Sequence, residues 1–415
     1  MTDKNYIKVS NIIIDRNRLQ VDFLVNDNLK RYFNDFSFWV EYTEDISTTP
    51  KSIGIIPFIC NVLPIVWVTD SDLIINEIDS DFYDSISNIK KGYIEMYPML
   101  EFGGNLSIQT SVDNSLCEPS DNVACLFSGG IDAFATLFAH INEKPQLISV
   151  WGADVMLKDT GSWSIAEKEI KETARMCNVD EPTIIKSNFV EFINQIECNY
   201  LVSSIKYNYW YGLQHGIGLL SLCSPLAFLK RLKILYIASS FTIKEKGLIP
   251  CASDPSIDNN VRFAGTKVWH DQYDKNRQQK LSIITQFCEN HGKRFKLRTC
   301  YMPDAKGGNC CKCEKCLRSI YGLLAEGHNP IDYGYNIDKK RLINSTKKFL
   351  RKLPWQSQYV KLMWTDIKNR FIETKSYKDD SAINWIYDYD FMRKPFFFDK
   401  VNHYFHAIYR RLKFK

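Results

Sequence analysis

The chain has 415 residues, 45% of them hydrophobic and 24% charged, the balance of a globular protein with room for more than one domain. No apolar run approaches the roughly 20 residues that span a bilayer, and the start Met1-Thr2-Asp3-Lys4-Asn5 lacks the basic and apolar stretches of a secretory leader. This argues against a membrane partner and predicts a cytoplasmic protein. The net charge of +5 hides an asymmetry: residues 339–415 hold 19 Lys and Arg against 7 Asp and Glu, leaving the first 338 residues at −7.

In chain order, residues 1–120 read as a β-rich α+β accessory domain. Asn11–Asp15, Arg18–Val25, Phe36–Tyr42 and Ile53–Val68 are strand-like, the last broken by Pro57 and Pro64. Asp81–Lys91 reads as a helix and Gly92–Pro98 as a further strand. The polar stretch Asn114–Asn122, with Pro119, reads as a linker.

Residues 121–329 then alternate in the manner of a parallel sheet with crossover helices. Strands are predicted at 123–127, 146–151, 183–187, 233–239 and 294–298. Helices are predicted at 131–141, 163–177, 212–229 and 271–290. The fold class is α/β, a doubly wound parallel sheet whose ligands sit at the carboxyl ends of its strands. Residues 330–415 read as helical, basic and aromatic-rich, with helices around Trp355–Phe371 and Phe396–Leu412. A basic region of this kind can mark nucleic-acid contact, a solvated helical face or a docking surface. Its aromatic spacing suits helix packing, so nucleic acid is the less favoured partner.

The most informative run is Cys125-Leu-Phe-Ser128-Gly129-Gly130-Ile-Asp132-Ala133. An apolar strand leads into a tight turn and then a helix. Two adjacent glycines let backbone N–H groups converge into an anion nest at the helix N-terminus. Asp132, just inside the helix, is placed to hold a magnesium ion or to orient a phosphate through water. Ser128 serves the phosphate or caps the helix. No Gly-x-x-x-x-Gly-Lys-Ser/Thr occurs.

A second constellation is Cys300, Cys310, Cys313 and Cys316, with two consecutive Cys-x2-Cys steps. Four thiolates around one point suit a closed structural zinc site; an iron–sulfur cluster and unligated cysteines are the alternatives. Gly307-Gly308 supplies the return of the loop, and Cys311 is spare. Thirteen cysteines, sparse outside this cluster, fit reduced thiols with a metal site.

Further candidates carry both a binding and a plain reading. Asp154 ends a strand and is a ligand contact or a turn residue. His215 lies among Gly212, Gly216 and Gly218, at a site wall or in helix packing. Asp254 and Asp258 read a purine-like edge or form turns. Arg277 and Lys280 share a helix face, clamping phosphates or forming a solvated salt-bridging face. Arg318 is structural.

The Ser-Gly-Gly-x-Asp run resembles the pyrophosphatase loop (PP-loop) of enzymes that split ATP between the α and β phosphates. With the zinc knot about 170 residues later, residues 121–325 resemble the 7-cyano-7-deazaguanine synthase (QueC-like) family. Ala133 departs from it, since that family commonly has Ser or Thr there. The resemblance implies an ATP-binding ligase using ATP, Mg2+ and structural Zn2+. Such enzymes adenylate the carboxylate of 7-carboxy-7-deazaguanine, and ammonia then attacks the acyl-adenylate to give an amide.

Longer QueC-like proteins belong to bacterial antiphage operons, including the Qat and type IV CBASS systems. Similarity to that branch is carried by Trp151-Gly-Ala-Asp154, where the adenosine half of ATP would lie, by Lys186-Ser-Asn188 and by Tyr211-Gly-Leu-Gln-His215-Gly216. Ser253-Asp254-Pro255, and His270-Asp271 ahead of Arg277 and Lys280, extend it. It implies transfer of the deazaguanine acyl group to an amine of an acceptor protein from the same defence operon. A homodimer is a further expected partner. The alternatives are a PP-loop enzyme that modifies tRNA and a catalytically degenerate scaffold of a defence complex, the latter motivated by Ala133.

Overall fold

The computed structural model describes residues 4–395 except 115–119, 206, 247, 250, 301, 303 and 304. Its strands in the first third are β1 (Tyr6–Asp15), β2 (Arg18–Val25), β3 (Ser37–Tyr42), β4 (Asp72–Ile74), β5 (Glu77–Asp79), β6 (Asn105–Ser107) and β7 (Thr110–Val112). The remainder are β8 (Val123–Leu126), β9 (Gln146–Trp151), β10 (Thr183–Ser187), β11 (Ile234–Ala238), β12 (Arg262–Phe263) and β13 (Thr266–Asp271). Eleven of them form one sheet in the order β12–β13–β11–β8–β9–β10–β3–β2–β1–β4–β6, and β5 pairs with β7 apart from it. The fold is therefore α/β around a large, mostly parallel sheet.

The parallel half is built from strands that are apolar on both faces. Val123, Cys125 and Phe127 enter one core, whereas Ala124 and Leu126 enter the other. With a side-chain period of two, only a strand covered by helices on both sides reads as a continuous apolar run. Helices Ile131–Ala139, Arg277–His291 and Glu314–Ala325 cover the first face. Helices Ile56–Val68, Ile217–Ser221 and Ser224–Lys230 cover the second.

The β-rich N-terminal residues extend this same sheet: β10 pairs antiparallel with β3, aligning Ile185 with Tyr42 and Ser187 with Val40. In β2 and β3 the pattern alternates, with Leu19, Val21, Phe23, Phe38, Val40 and Tyr42 buried.

Five expected elements differ. Ile53–Val68 is helical, as the short helix Lys51–Gly54 followed by Ile56–Val68, because a run apolar on every side suits a helix buried all round as well as a strand. Pro57 sits in the tolerated first turn, and Pro64 is accommodated inside. The expected strand Gly92–Pro98 is absorbed by a helix spanning Ser80–Met96. There Gly92 lies against the loop helix Pro255–Asp258, where a Cβ would fall 2.3 Å from the Ser256 carbonyl oxygen.

The expected helix 212–229 is divided into a π turn at Trp210–Gln214 and two short helices, broken at Gly216 with φ +86°. The helix expected at 271–290 begins at Arg277, capped by Asn276 and Gln279, because β13 occupies Thr266–Asp271. Residues 294–298 join no strand; instead the Leu297 N–H donates to the Tyr333 carbonyl and the Arg298 N–H to the Gly129 carbonyl.

The C-terminal region is helical over Lys339–Leu350 and Gln358–Thr374. Its aromatic residues pack inward, Trp364 stacking on Phe349 at 4.8 Å and on Phe391 at 5.6 Å. The expected helix Phe396–Leu412 lies outside the described residues. No described helix is long and apolar enough to cross a membrane.

Candidate functional site

The Ser-Gly-Gly run occupies the carboxyl end of β8, in the middle of the parallel strands. Gly129 has φ +76°, a conformation that a side chain would strain, and Gly130 then leads directly into the helix Ile131–Ala139. The Ser128 Oγ accepts from the Gly130 N–H at 3.4 Å. First-turn N–H groups of that helix therefore face the mouth of a cleft of about 190 Å³.

Arg298 backs the loop. Its guanidinium Nη2 donates to the Ser128 carbonyl at 2.6 Å while its own N–H donates to the Gly129 carbonyl at 2.7 Å. These bonds take the two carbonyl oxygens and leave the amides to face a ligand.

Asp132 does not project as a bare carboxylate. Arg277 Nη2 lies 2.5 Å from Oδ2 and Lys280 Nζ lies 3.4 Å from Oδ1. Lys280 is 1% exposed and also donates to the Ser239 carbonyl. Burial by itself would raise the Asp132 pKa; the charges of Arg277 and then Lys280 outweigh it and hold the carboxyl below its ordinary value. The two cations thus engage Asp132, not a position beyond it. A magnesium ion on this carboxylate would sit against both of them, so the residues present do not fit a protein-held magnesium ion at Asp132.

Asp154 and His215 line the cleft together with Ser128, Gly130 and Asp132. The sequence left Asp154 open between a ligand contact and a turn residue, and His215, about 85 residues after the loop, open between a site wall and helix packing. The His215 ring stacks on Tyr211 at 5.3 Å, and its Nδ1 is buried with no hydrogen-bond partner among the described residues. Burial lowers its pKa against the opposing charges of Asp154 and Asp258, which keeps the ring neutral at pH 7.

Asp254 and Asp258 stand behind the cleft wall. Asp254 caps the helix Pro255–Asp258, accepting from the Ser256 N–H at 2.9 Å. Asp258, fully buried, accepts from Ser253 Oγ and from His270 Nδ1, both at 2.8 Å. Of this group Ser253 is the one that reaches the cleft.

Two cleft cations were not anticipated. Arg298 gave no local signal, because it ends a segment read as a strand. Lys315 did carry one: it lies between Cys313 and Cys316, so whatever fixes those two residues fixes it as well. Ala133 also lines the cleft and brings no side-chain hydroxyl to it.

The four cysteines singled out by spacing gather as expected. The sulfurs of Cys300, Cys310, Cys313 and Cys316 lie within 4.8 Å of one another. The Cys300–Cys313 and Cys310–Cys316 pairs are 3.9 and 3.8 Å apart. A tetrahedron with metal–sulfur bonds of about 2.3 Å has edges of about 3.8 Å, so the cluster fits a metal ion such as zinc.

Backbone N–H groups of Met302, Cys313 and Cys316 point at the sulfurs of Cys300, Cys310 and Cys313 at 3.4–3.5 Å, as suits thiolates. Cys311 turns away with φ +56°, its sulfur against the Asn309 carbonyl. Arg318 pairs with Glu314 at 3.4 Å within the helix that follows.

No protein-family model matches this chain. Neither the curated proteins nor the solved structures contain a match. The functional reading therefore rests on the chemistry of the cleft and on the resemblance carried by the sequence motifs.

Proposed function

We propose that the chain is an ATP-dependent ligase that adenylates a carboxylic acid of the 7-deazaguanine class and passes the acyl group to an amine. The amine is ammonia or an amine of a partner protein. The observation that carries the reading is the joint lining of one cleft by Ser128, Gly130, Asp132, Asp154, His215, Arg298 and Lys315, with Lys315 delivered by the cysteine cluster. The deazaguanine substrate and the antiphage setting rest on the resemblance stated above.

A carboxylate is a poor electrophile, and attack of its oxygen on the α-phosphorus of ATP gives an acyl-adenylate with pyrophosphate as the leaving group. In this reading the amides at Gly129–Asp132 receive phosphate oxygens, and Arg298 and Lys315 offset the charge of the departing pyrophosphate. Asp132 is a positioning residue that holds Arg277 and Lys280 at the loop. The amine then attacks the acyl carbonyl, AMP leaves, and neutral His215 accepts the proton that the amine loses. Zinc in the cysteine cluster would fix the Cys313–Cys316 turn and take no part in the chemistry.

The test is pyrophosphate release from ATP with magnesium and 7-carboxy-7-deazaguanine, read together with product masses. Release that requires the acid, with an amide product in the presence of ammonia or a partner protein, is expected. Release indifferent to the acid, or none with any candidate amine, overturns the reading.

A further inference from the structure

A second concavity of about 680 Å³ lies on the far side of the cysteine cluster. It is lined by successive residues of the same turn that feeds the cleft: Lys312, Cys313 and Glu314 face the groove, and Lys315 faces the cleft. Its opposite wall is the helix Lys339–Leu350 and the residues just beyond it. On that wall Lys340, Asn344 and Lys348 recur at four-residue steps, with Arg341 and Ser345 beside them and Lys352 following. From Lys340 to Lys348 the rise of about 1.5 Å per residue gives a stripe about 12 Å long, and Lys352 follows just past the helix end.

Among the described residues, Lys340, Arg341, Lys348 and Lys352 form no ion pair, and all four are exposed. The two acids of the lining each accept a hydrogen bond within the fold. Asp338 caps the helix through the Arg341 N–H at 2.8 Å, and Glu314 accepts from Trp364 Nε1 at 3.1 Å and pairs with Arg318. A solvated helical face would interleave acids with its cations; this one sets them around a hollow.

We infer that this groove holds the sugar–phosphate backbone of a helical RNA stem, across the cysteine cluster from the cleft. Cations spaced along this wall meet successive phosphates. The neutral groups between them, Asn344, Ser345 and Gln356, supply hydrogen bonds of the kind that sugars and phosphates take. An RNA backbone offers a 2′-hydroxyl to such groups, and a DNA backbone does not.

Among the described residues, the one aromatic residue of the lining is Phe349, and it is buried against Trp364, away from any unpaired base in the groove. Recognition is therefore of backbone and shape, not of single-stranded sequence.

The test measures fluorescence anisotropy of a labelled RNA duplex with the full chain across a salt series. The same-sequence DNA duplex, single-stranded RNA and polyglutamate serve as comparisons. Binding to the RNA duplex is expected, with log K falling against log salt at a slope of about −3.5 for four neutralised phosphates. The paired substitution Lys348→Glu with Lys352→Glu is expected to weaken it at least about tenfold, with circular dichroism and Tm unchanged. Unaltered binding by that variant overturns the groove assignment. Equal affinity for DNA, stronger binding of single strands, or tighter binding of polyglutamate overturns the RNA-stem assignment, the last in favour of an acidic protein.

Discussion

Asp132, singled out by its place after the two glycines, is met in the structure by two cations, Arg277 and Lys280. Its spacing from Gly129 and Gly130 was legible in the sequence, and so was the shared helix face of Arg277 and Lys280. The meeting of the two was not, because 145 residues separate Asp132 from Arg277. Asp132→Asn removes the carboxylate from a Lys280 that is almost fully buried. Breaking such a pair costs about 3–5 kcal/mol; with Asp132 and Arg277 partly in contact with solvent, the lower end, about 3 kcal/mol, is expected in chemical unfolding.

The pH dependence has a definite sign. A carboxyl held below its ordinary value contributes stability that is fully present above about pH 4 and is lost as pH falls through the folded value. The stability gap between the natural chain and Asp132→Asn should therefore narrow below about pH 4. A gap that stays constant into strong acid would refute the ion-pair account.

At the scale of elements, period and turn chemistry predicted most of the parallel half. β8, β9, β10 and β11 lie within a residue of the expected strands, since their ends are marked by polar residues and glycine. The failures share a cause. Ile56–Val68 and Ser80–Met96 are set by what surrounds them: the first is enclosed by the second core, and the second carries a glycine that reads as a breaker but serves as a contact.

That contact can be weighed. In an exposed helix interior, Gly→Ala gains about 1 kcal/mol. At Gly92 the new methyl would lie 2.3 Å from the Ser256 backbone oxygen, and overpacking costs about 1–3 kcal/mol or more. Since a backbone atom cannot swing aside as a side chain can, the clash wins and Gly92→Ala should lower Tm. Gly161→Ala, in the helix Thr160–Cys177 with open space around it, should leave Tm equal or higher. If both substitutions raise Tm, the packing of Ser80–Met96 against Pro255–Asp258 is not what fixes that helix.

Across the whole molecule, the cysteine cluster ties the loop, the groove and the C-terminal helices to one point. Arg298 precedes Cys300 by two residues, Lys315 precedes Cys316 by one, and the groove begins at Lys312. Asn309 straps the same segment, donating to the Leu297 carbonyl at 2.7 Å and accepting from the Thr299 N–H at 3.1 Å. Both unanticipated cleft cations thus depend on residues whose spacing was the plainest metal signal in the chain.

Metal removal should act locally and then on activity. The purified chain is expected to carry one equivalent of zinc by elemental analysis. Chelation under reducing conditions, or Cys313→Ser, should release it. Thiolates left without the ion repel one another, and ligand exchange with water frees the turn. Hydrogen exchange is then expected to rise across residues 297–318 and stay unchanged in β1–β3, which share no contact with the cluster's core. Pyrophosphate release should fall with the loss of Arg298 and Lys315 from their places, although neither side chain has been altered. Unchanged exchange at 297–318 in metal-free protein would show that hydrophobic packing around Leu297, Leu317 and Tyr335, not the ion, holds the two cations in the cleft.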